Sequence, residues 1–208
     1  MKKNCVFIIL ILITTMIILS CATSRNATVS IQEESFSLVN LKISILSPIF
    51  KFGSAGTIDD ETELNIGKMI YNSLESRISA SWLSPEESIA FIKNAKIEND
   101  YESLLNDYQK TWISDRSKLI EISKSVNCPY IAISQIDHRV TGSDATSHYR
   151  LTNITIQIIS ADNGKVVLEL VGDAECGSGG HDIGVVKLIQ KAVDKAISNY
   201  PGAKPLGN

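Results

Sequence analysis

The chain has 208 residues, of which 44% are hydrophobic and 21% charged, with a formal net charge of −3 at neutral pH. This balance excludes the strongly basic surface that nucleic-acid binding requires. Aromatic residues make up only 6% of the chain, which argues against a platform that stacks carbohydrates or nucleobases.

The first twenty residues have the three parts of an export signal: a positive start at Lys2 and Lys3, an apolar run over residues 6–19, and a small residue at the end. The run closes on four residues that resemble a bacterial lipobox, the recognition sequence of the lipoprotein signal peptidase: Ile18, Leu19, Ser20 and Cys21. This resemblance implies cleavage before Cys21 and lipidation of that cysteine. Ordinary secretory cleavage and an uncleaved membrane anchor are the alternatives, although a spanning helix needs roughly 20 apolar residues.

Cleavage at this site removes two of the 20 basic residues and none of the 23 acidic ones, so the net charge of −3 becomes −5. Ala22 follows the cysteine, and by resemblance to enterobacterial sorting the absence of Asp there implies an outer-membrane anchor that faces the periplasm. Residues 21–35 are polar and unpatterned, and we interpret them as a short tether. Fully stretched, this tether spans on the order of 50 Å, at about 3.5 Å per residue.

The next segment predicts one strand and one long helix. Residues 36–48 alternate, which predicts a strand that Pro48 ends, and residues 50–57 contain two glycines and predict a loop. A helix is expected from Asp59 or Asp60 to about Ser79. Its apolar stripe recurs every four residues: Ile66, Ile70, Leu74 and Ile78. Residues 80–83 form a brief extended piece.

Three short helices are expected next. Ser84, Pro85 and Glu87 make a capping box with proline at the first helical position, and this helix runs to about Ala95. The other two cover residues 100–111 and 115–126, with Ser114 as the cap of the second.

The remaining chain predicts three strands in a meander and one helix. The first strand begins at Pro129, and the second and third cover residues 151–159 and 166–174. Turns are expected at residues 142–144 and 162–164. Asp182 is expected to cap a helix that runs to about Asn199, and residues 201–208 form a flexible tail. The fold class is therefore α/β (α+β), a single domain over residues 36–200 with helices on a mixed or antiparallel sheet.

Four segments carry a resemblance to a known family: residues 84–87 (SPEE), 99–105 (NDYESLL), 114–122 (SDRSKLIEI) and 128–134 (CPYIAIS). Together they are similar to small bacterial envelope lipoproteins whose domain is like the N-terminal domain of TolB, CsgG and LpoB. The resemblance covers about residues 38–198 and implies a non-catalytic protein that binds envelope proteins or itself. LpoB-like activators carry a long Pro-rich tether and CsgG carries amphipathic pore hairpins, and this sequence has neither.

No set of residues fills the roles of a catalytic or metal site. The Gly-rich segment 177–182 lacks the third glycine of a dinucleotide fingerprint, with Asp182 in its place, so a flexible loop is predicted. His138 and His148 flank a predicted turn; a metal pair is conceivable there, but exposed strand-end residues are the expectation. His181 lies in the Gly-rich segment, and Asp137 points away from His138 because adjacent strand residues face opposite sides. No cofactor is predicted.

Cys5 leaves with the leader, so Cys128 and Cys176 are the cysteines that remain beside Cys21. Cys128 begins the first meander strand and Cys176 ends the third, which runs in the same direction. The two should lie at opposite ends of the sheet, too far apart for a disulfide, whose Cα atoms lie within about 7 Å.

The sequence therefore predicts a membrane-anchored lipoprotein that is not an enzyme. It acts as a protein-binding accessory subunit in envelope assembly, secretion or peptidoglycan synthesis, and it does not bind nucleic acid. A periplasmic carrier of lipid or cell-wall fragments is the first alternative, and it requires an apolar cleft. A small hydrolase is the second, and it requires ionisable groups that converge in a pocket.

Overall fold

The structure is a computed structural model that describes residues 27–31, 36–52, 59–141, 149–176 and 184–205. Its described strands are β1 (Ala27–Ile31), β2 (Lys42–Ile45), β3 (Ile49–Phe52), β4 (Ser81–Leu83), β5 (Tyr130–Thr141), β6 (Tyr149–Ser160) and β7 (Val166–Cys176). Its described helices are α1 (Asp60–Arg77), α2 (Pro85–Ala95), α3 (Glu98–Thr111), α4 (Arg116–Val126) and α5 (Val185–Ser198). The predicted α/β class is confirmed.

The seven described strands form one mixed sheet in the order β1-β7-β6-β5-β2-β4, and β3 also pairs with β5. The predicted meander is present, since β5, β6 and β7 are antiparallel neighbours. In contrast, β2 is parallel to both β4 and β5, and β3 is parallel to β5. Helix α1 makes the crossover between the parallel strands β2 and β4, as such pairs require.

Helices α1 and α5 cover one face of the sheet. Asp59 caps α1 by accepting a hydrogen bond from the Thr62 amide at 2.8 Å, and the predicted stripe of α1 is buried. These residues join one hydrophobic cluster with α5 and with the inward side chains of the meander, Ile136 and Ile154 among them. Burial of this aliphatic surface, at about 25 cal/mol per Å², is the main favourable term for the fold.

Helices α2, α3 and α4 cover part of the opposite face. The predicted capping box is confirmed, because the Ser84 hydroxyl accepts from the Glu87 amide while the Glu87 carboxylate accepts from the Ser84 amide. Ser44 of β2 lies on this face, fully buried, and its hydroxyl is 2.7 Å from that of Ser88 on α2. Ser88 also donates to the Ser84 carbonyl at 2.8 Å, so the buried pair is hydrogen-bonded to the start of α2.

Two predicted helix starts are corrected. Asp115 rather than Ser114 caps α4, and it accepts from the Ser117 amide at 2.9 Å. Helix α5 follows Gly184 without a side-chain cap, and Asp182, the predicted cap, lies outside the described residues. At α4 two adjacent residues, Ser114 and Asp115, are both good caps and the local sequence does not choose between them, whereas α5 begins after a glycine, which is also tolerated at that position.

Two strands lie where none was predicted. Residues 50–57 were expected to be a loop, but Phe50 to Phe52 belong to β3, which pairs with β5 from Gln135 to His138. Residues 21–35 were expected to be a tether, but Ala27 to Ile31 form β1 on the outer edge of β7. Both strands are only four or five residues long, so their pairing partners, far away in sequence, decide their conformation.

The predicted flexible tail is also corrected in part. The Lys204 amide donates to the Arg77 carbonyl at 2.8 Å, and Ala203 packs against the main hydrophobic cluster. The Arg77 guanidinium is buried and returns a hydrogen bond from Nε to the Lys204 carbonyl at 3.1 Å. The chain is therefore fastened to the end of α1 as far as Lys204.

The sheet has two distinct ends. At one of them β5 ends at Thr141 and β7 ends at Cys176, whereas β1 begins further along the sheet, at Ala27 opposite Gly172. At the other, which we call the hairpin end, β5 begins at Tyr130 and the turn after Ser160 leads into β7.

Candidate protein-binding surface

The residues assigned to lipidation and to signal-peptidase recognition lie outside the described residues: Ile18, Leu19, Ser20 and Cys21. Lipidation of Cys21 therefore stays a prediction. The Gly-rich loop, His148 and His181 also lie outside them. No helix in the described part of the chain combines the length and the apolar character needed to cross a bilayer.

His138 is buried, so the expectation of an exposed strand-end histidine is wrong. Only 2% of the residue is exposed, and its Nδ1 shares a hydrogen bond of 2.8 Å with the Thr152 hydroxyl. Burial, followed by the positive charge of Arg150, lowers the pKa of His138 below its ordinary 6.5, while Asp137 acts in the opposite sense. The imidazole is therefore buried in the sheet and not exposed to a substrate.

Asp137 points to the opposite face from His138, as predicted, and its carboxylate binds Arg139, with Oδ1 3.0 Å from Nε. Among the described residues, no three histidine, cysteine or acidic side chains are arranged to hold a metal ion. The described ionisable groups of β5 thus give no acid–base pair for hydrolysis.

Cys128 and Cys176 are buried thiols, not joined in a disulfide, at opposite ends of the sheet. Cys176 pairs with Arg150, which pairs in turn with Val140, ten residues along β5 from Tyr130. At about 3.3 Å per residue this places the two cysteines roughly 30 Å apart. The predicted absence of a bond between them follows from this register.

The face of the meander opposite α1 and α5 is covered by helices only toward the hairpin end. There Ile131 and Ile133 of β5 and Ile159 of β6 pack beneath α2–α4. From Gln135 onward most side chains on the same face are polar, with Leu151 and Val171 between them, and the side chains of Gln135, Gln157, Asp173 and Glu175 are buried. We call this surface the polar shelf, with the polar members Gln135, Asp137, Arg139, Asn153, Thr155, Gln157, Glu169, Asp173 and Glu175.

The register places these side chains in rows, because residues directly opposite each other in an antiparallel pair share a face. One row is Gln135 and Thr155; the next joins Asp137, Asn153 and Asp173. Lys51 of β3 extends that second row, since it pairs with Asp137. Asp173 and Glu175 are buried and interact within the fold, so the accessible charges of the shelf are the carboxylates of Asp137 and Glu169 and the cations Arg139 and Lys51.

Helix α3 borders the shelf, because its side chains form hydrogen bonds with backbone groups at the sheet edge that β4 does not cover. The Tyr101 hydroxyl accepts from the Ser47 amide at 3.1 Å, and Gln109 Nε2 donates to the Phe50 carbonyl at 3.0 Å. Burial raises the pKa of Tyr101. These contacts cap backbone groups that would otherwise invite pairing with another strand.

A hydrogen-bonded chain crosses from α3 to β7 at the inner margin of the shelf. The buried Tyr108 hydroxyl donates to the Gln157 carbonyl oxygen, and Gln157 Nε2 donates to the Glu169 carboxylate. Burial and the nearby charge of Glu169 both raise the pKa of Tyr108, so its hydroxyl stays protonated and keeps donating. In the next row Gln135 is 4% exposed, and its buried Oε1 accepts no hydrogen bond.

Trp112 and Ile113 stand exposed where α3 ends. Trp112 has a positive φ of 59°, a left-handed conformation that is costly for a bulky residue by about 1–2 kcal/mol. Its ring lies 5.9 Å from that of Tyr108, and Lys51 Nζ lies 5.3 Å from its centroid. Trp112 is 41% and Ile113 71% exposed, so the fold holds two large apolar side chains in solvent at the border of a polar surface. Buried aromatic anchors beside polar groups are the usual centres of protein interfaces.

Three surface depressions are lined by described residues. The groove between α1 and α5 has a volume of about 420 Å³ and a polar lining that includes Asn72 and Gln190. A depression of about 410 Å³ at the hairpin end combines Tyr130 and Pro129 with Lys124 and Asp162. The third, of about 250 Å³, includes Leu64 beside Glu63, whose pKa is raised by burial and by Asp60. Each of these three mixes charged or amide groups into its lining.

No protein-family model matches the chain, and no curated protein matches it significantly. Solved structures with a similar arrangement include the PelC dodecamer from Paraburkholderia phytofirmans, at 13% identity and a TM-score of 0.45, over 85% of this chain and 95% of that one. Lipoprotein GNA1162 from Neisseria meningitidis is similar at 10% identity and a TM-score of 0.44, over 77% and 99% of the two chains. The LpoB C-terminal domain from Salmonella enterica is similar at 13% identity and a TM-score of 0.42, over 68% and 87%. Since similarities at this level carry nothing about activity or partners, the functional proposal rests on the residues of this chain.

Proposed function

We propose that the protein is a lipid-anchored envelope protein that acts without catalysis, by binding another envelope protein at the polar shelf. The observation that carries the proposal is the pair Trp112 and Ile113. Both side chains are exposed beside the shelf, where α3 ends and the Trp112 backbone adopts a left-handed conformation.

The anchoring half of the proposal rests on the leader. The apolar run that ends at Cys21 supports lipidation there, and two or three acyl chains would hold the protein permanently, since each buried methylene contributes about 0.8 kcal/mol. Ala22 supports the outer membrane and a periplasm-facing domain. Envelope assembly, secretion and peptidoglycan synthesis are the settings in which such an accessory subunit acts.

Site-specific photocrosslinking in intact cells tests the binding half. A photoreactive residue at position 113 should form an adduct with one envelope protein. Phe91 on α2 provides the matched control, because it is 46% exposed but lies outside the shelf. Trp112→Ala should lower the adduct yield about fivefold, the ratio that corresponds to roughly 1 kcal/mol of lost apolar contact.

Trp112→Phe keeps an aromatic ring at the end of α3, and its adduct yield should lie between those of the parent and of Trp112→Ala. Equal adducts from positions 91 and 113, or an unchanged yield from Trp112→Ala, contradict the proposal. Circular dichroism on each variant shows whether a lost adduct reflects lost binding or lost folding.

A further inference from the structure

A small hollow lies where the start of α1 meets the start of α2 and the segment between β2 and β3. Its volume is about 250 Å³, and much of its wall is apolar, with the buried Pro48 and Pro85 together with Leu64 and Ile89. Sites for whole small molecules usually measure roughly 300–1,000 Å³. The hollow is therefore better matched to a single side chain than to a cofactor or a lipid.

Gly67, in the interior of α1, also lines the hollow, and close packing does not require a glycine there. A Cβ atom at this position would lie 3.5 Å from Pro48 Cδ and 3.5 Å from Pro85 Cγ, which is ordinary van der Waals contact. Glycine weakens the interior of a helix relative to alanine. The missing side chain thus lowers the stability of α1 and leaves open space between the two prolines.

Two carboxylates line the same hollow. Asp60 and Glu63 precede Gly67 by seven and four residues, so the three share one face of α1, and Glu63 lies about 6 Å from Gly67 along the helix axis. Neither carboxylate forms an ion pair with a described residue. Burial raises the pKa of Glu63, and the charge of Asp60 raises it further. A cation between the two carboxylates would oppose both effects.

We propose that this hollow binds a lysine side chain of a partner protein. The four-carbon stem packs against Pro48 and Pro85 over Gly67, and the ammonium group lies between Asp60 and Glu63. Apolar walls with an unpaired acidic end complement a cation on an aliphatic stem. The hollow shares no residue with the polar shelf, so this inference does not depend on the proposed function.

A titration with two matched peptides tests the proposal. Full-length protein labelled with nitrogen-15, in detergent, receives either acetyl-Gly-Gly-Lys-Gly-Gly-amide or the same peptide with norleucine, which keeps the four-carbon stem but lacks the ammonium group. The lysine peptide should shift the amide signals of Glu63 and Gly67 with a Kd of about 1–10 mM, and the norleucine peptide should bind about tenfold more weakly.

Three variants separate this site from general charge attraction. Glu63→Gln should weaken binding of the lysine peptide about fivefold. Glu61→Gln is the matched control, because Glu61 lies in the same first turn of α1 but does not line the hollow, and its Kd should equal that of the parent. Gly67→Ala should also weaken binding, since the methyl group fills part of the hollow, while its melting temperature should equal or exceed that of the parent.

Four results overturn the proposal: equal binding of the two peptides, equal losses from Glu61→Gln and Glu63→Gln, unchanged binding by Gly67→Ala, or no shift at residues 63 and 67 up to about 20 mM lysine peptide. Tighter binding of 1,5-diaminopentane than of the lysine peptide would assign the hollow to a free diamine and would likewise overturn the assignment to a partner protein. None of these results bears on the crosslink from position 113, which tests the polar shelf alone.

Discussion

Gly172 of β7 lies directly beneath Ala192 of α5, so close that a Cβ atom at position 172 would come within 2.2 Å of the Ala192 carbonyl oxygen. The same atom would lie 2.6 Å from the Ala196 amide nitrogen. Glycine is required here by the close approach of a helix backbone to a strand. Because Gly172 also pairs with Ala27, this contact links α5 to the edge that receives β1.

Gly172→Ala should therefore lower the free energy of unfolding by about 1–3 kcal/mol or more, since the helix must move away from the sheet to accept the methyl group. Denaturant unfolding of the protein expressed without its leader measures the change. Gly184→Ala is the matched control, because a Cβ there meets nothing within 4 Å and only the preference for glycine at the helix start is lost, so its effect should stay below about 1 kcal/mol. Equal stability of the parent and Gly172→Ala proteins would mean that α5 does not pack as described.

Arg77 joins the end of α1 to the end of α5 and to the chain beyond it. Its guanidinium donates to the Asp194 carbonyl at 3.0 Å and to the Ser198 hydroxyl at 2.8 Å, and it also bonds the Lys204 carbonyl. Arg77→Met should lower the free energy of unfolding by about 3 kcal/mol, because buried acceptors lose charged donors. Lys93→Met, at an exposed position of α2, should change stability by less than about 0.5 kcal/mol. Limited proteolysis should also cut the Arg77→Met chain after residue 200, where the parent resists.

The helices could be predicted from the sequence because their signals are local. The capping box at Ser84 and the four-residue stripe of α1 both lie within single turns or faces of one helix. The meander was predictable for a similar reason, since its strands are long and Gly164 adopts the positive φ of 72° that a tight turn uses. The alternation of apolar and polar residues in β2 also predicted that Ile43 and Ile45 lie on the same face of the sheet, and both belong to the main hydrophobic cluster.

The candidate site could not be predicted in the same way, because it depends on which elements cover which part of the sheet. Alternation places His138 and Asp137 on opposite faces but does not reveal that His138 is buried whereas Asp137 stays partly exposed. In the sequence, nothing distinguishes Trp112 from other residues that follow a helix. Only the structure shows its left-handed backbone and its exposed ring. The one available signal was the run of polar residues at alternate positions 153, 155 and 157 in a strand expected to lie between two others.

The buried His138 predicts that stability falls in mild acid. Its pKa is lowered in the folded protein, so the unfolded chain binds the proton more readily and the free energy of unfolding decreases as the pH falls below 6.5. The loss should level off once the pH passes below the folded-state pKa. Denaturant unfolding between about pH 7.5 and pH 5.5 should show a steeper decline for the parent than for His138→Gln, whose amide can still bond Thr152. Identical slopes for the two proteins would show that His138 is accessible to protons in the fold.

The lipid anchor is tested most directly at Cys21. Cys21→Ser removes the only thiol that the signal peptidase motif presents, so the protein should lose its lipid mass and leave the membrane fraction while keeping its far-ultraviolet circular dichroism. The fold should be unaffected, because the described core begins with β1 and contains no residue before Ala27. Cys5→Ser is the matched control: it lies in the leader that is cleaved away, so lipid mass and fractionation should match the parent. Membrane retention of the Cys21→Ser protein with an uncleaved leader, together with a lipid-free parent, would show that the apolar run holds the protein as a spanning helix instead.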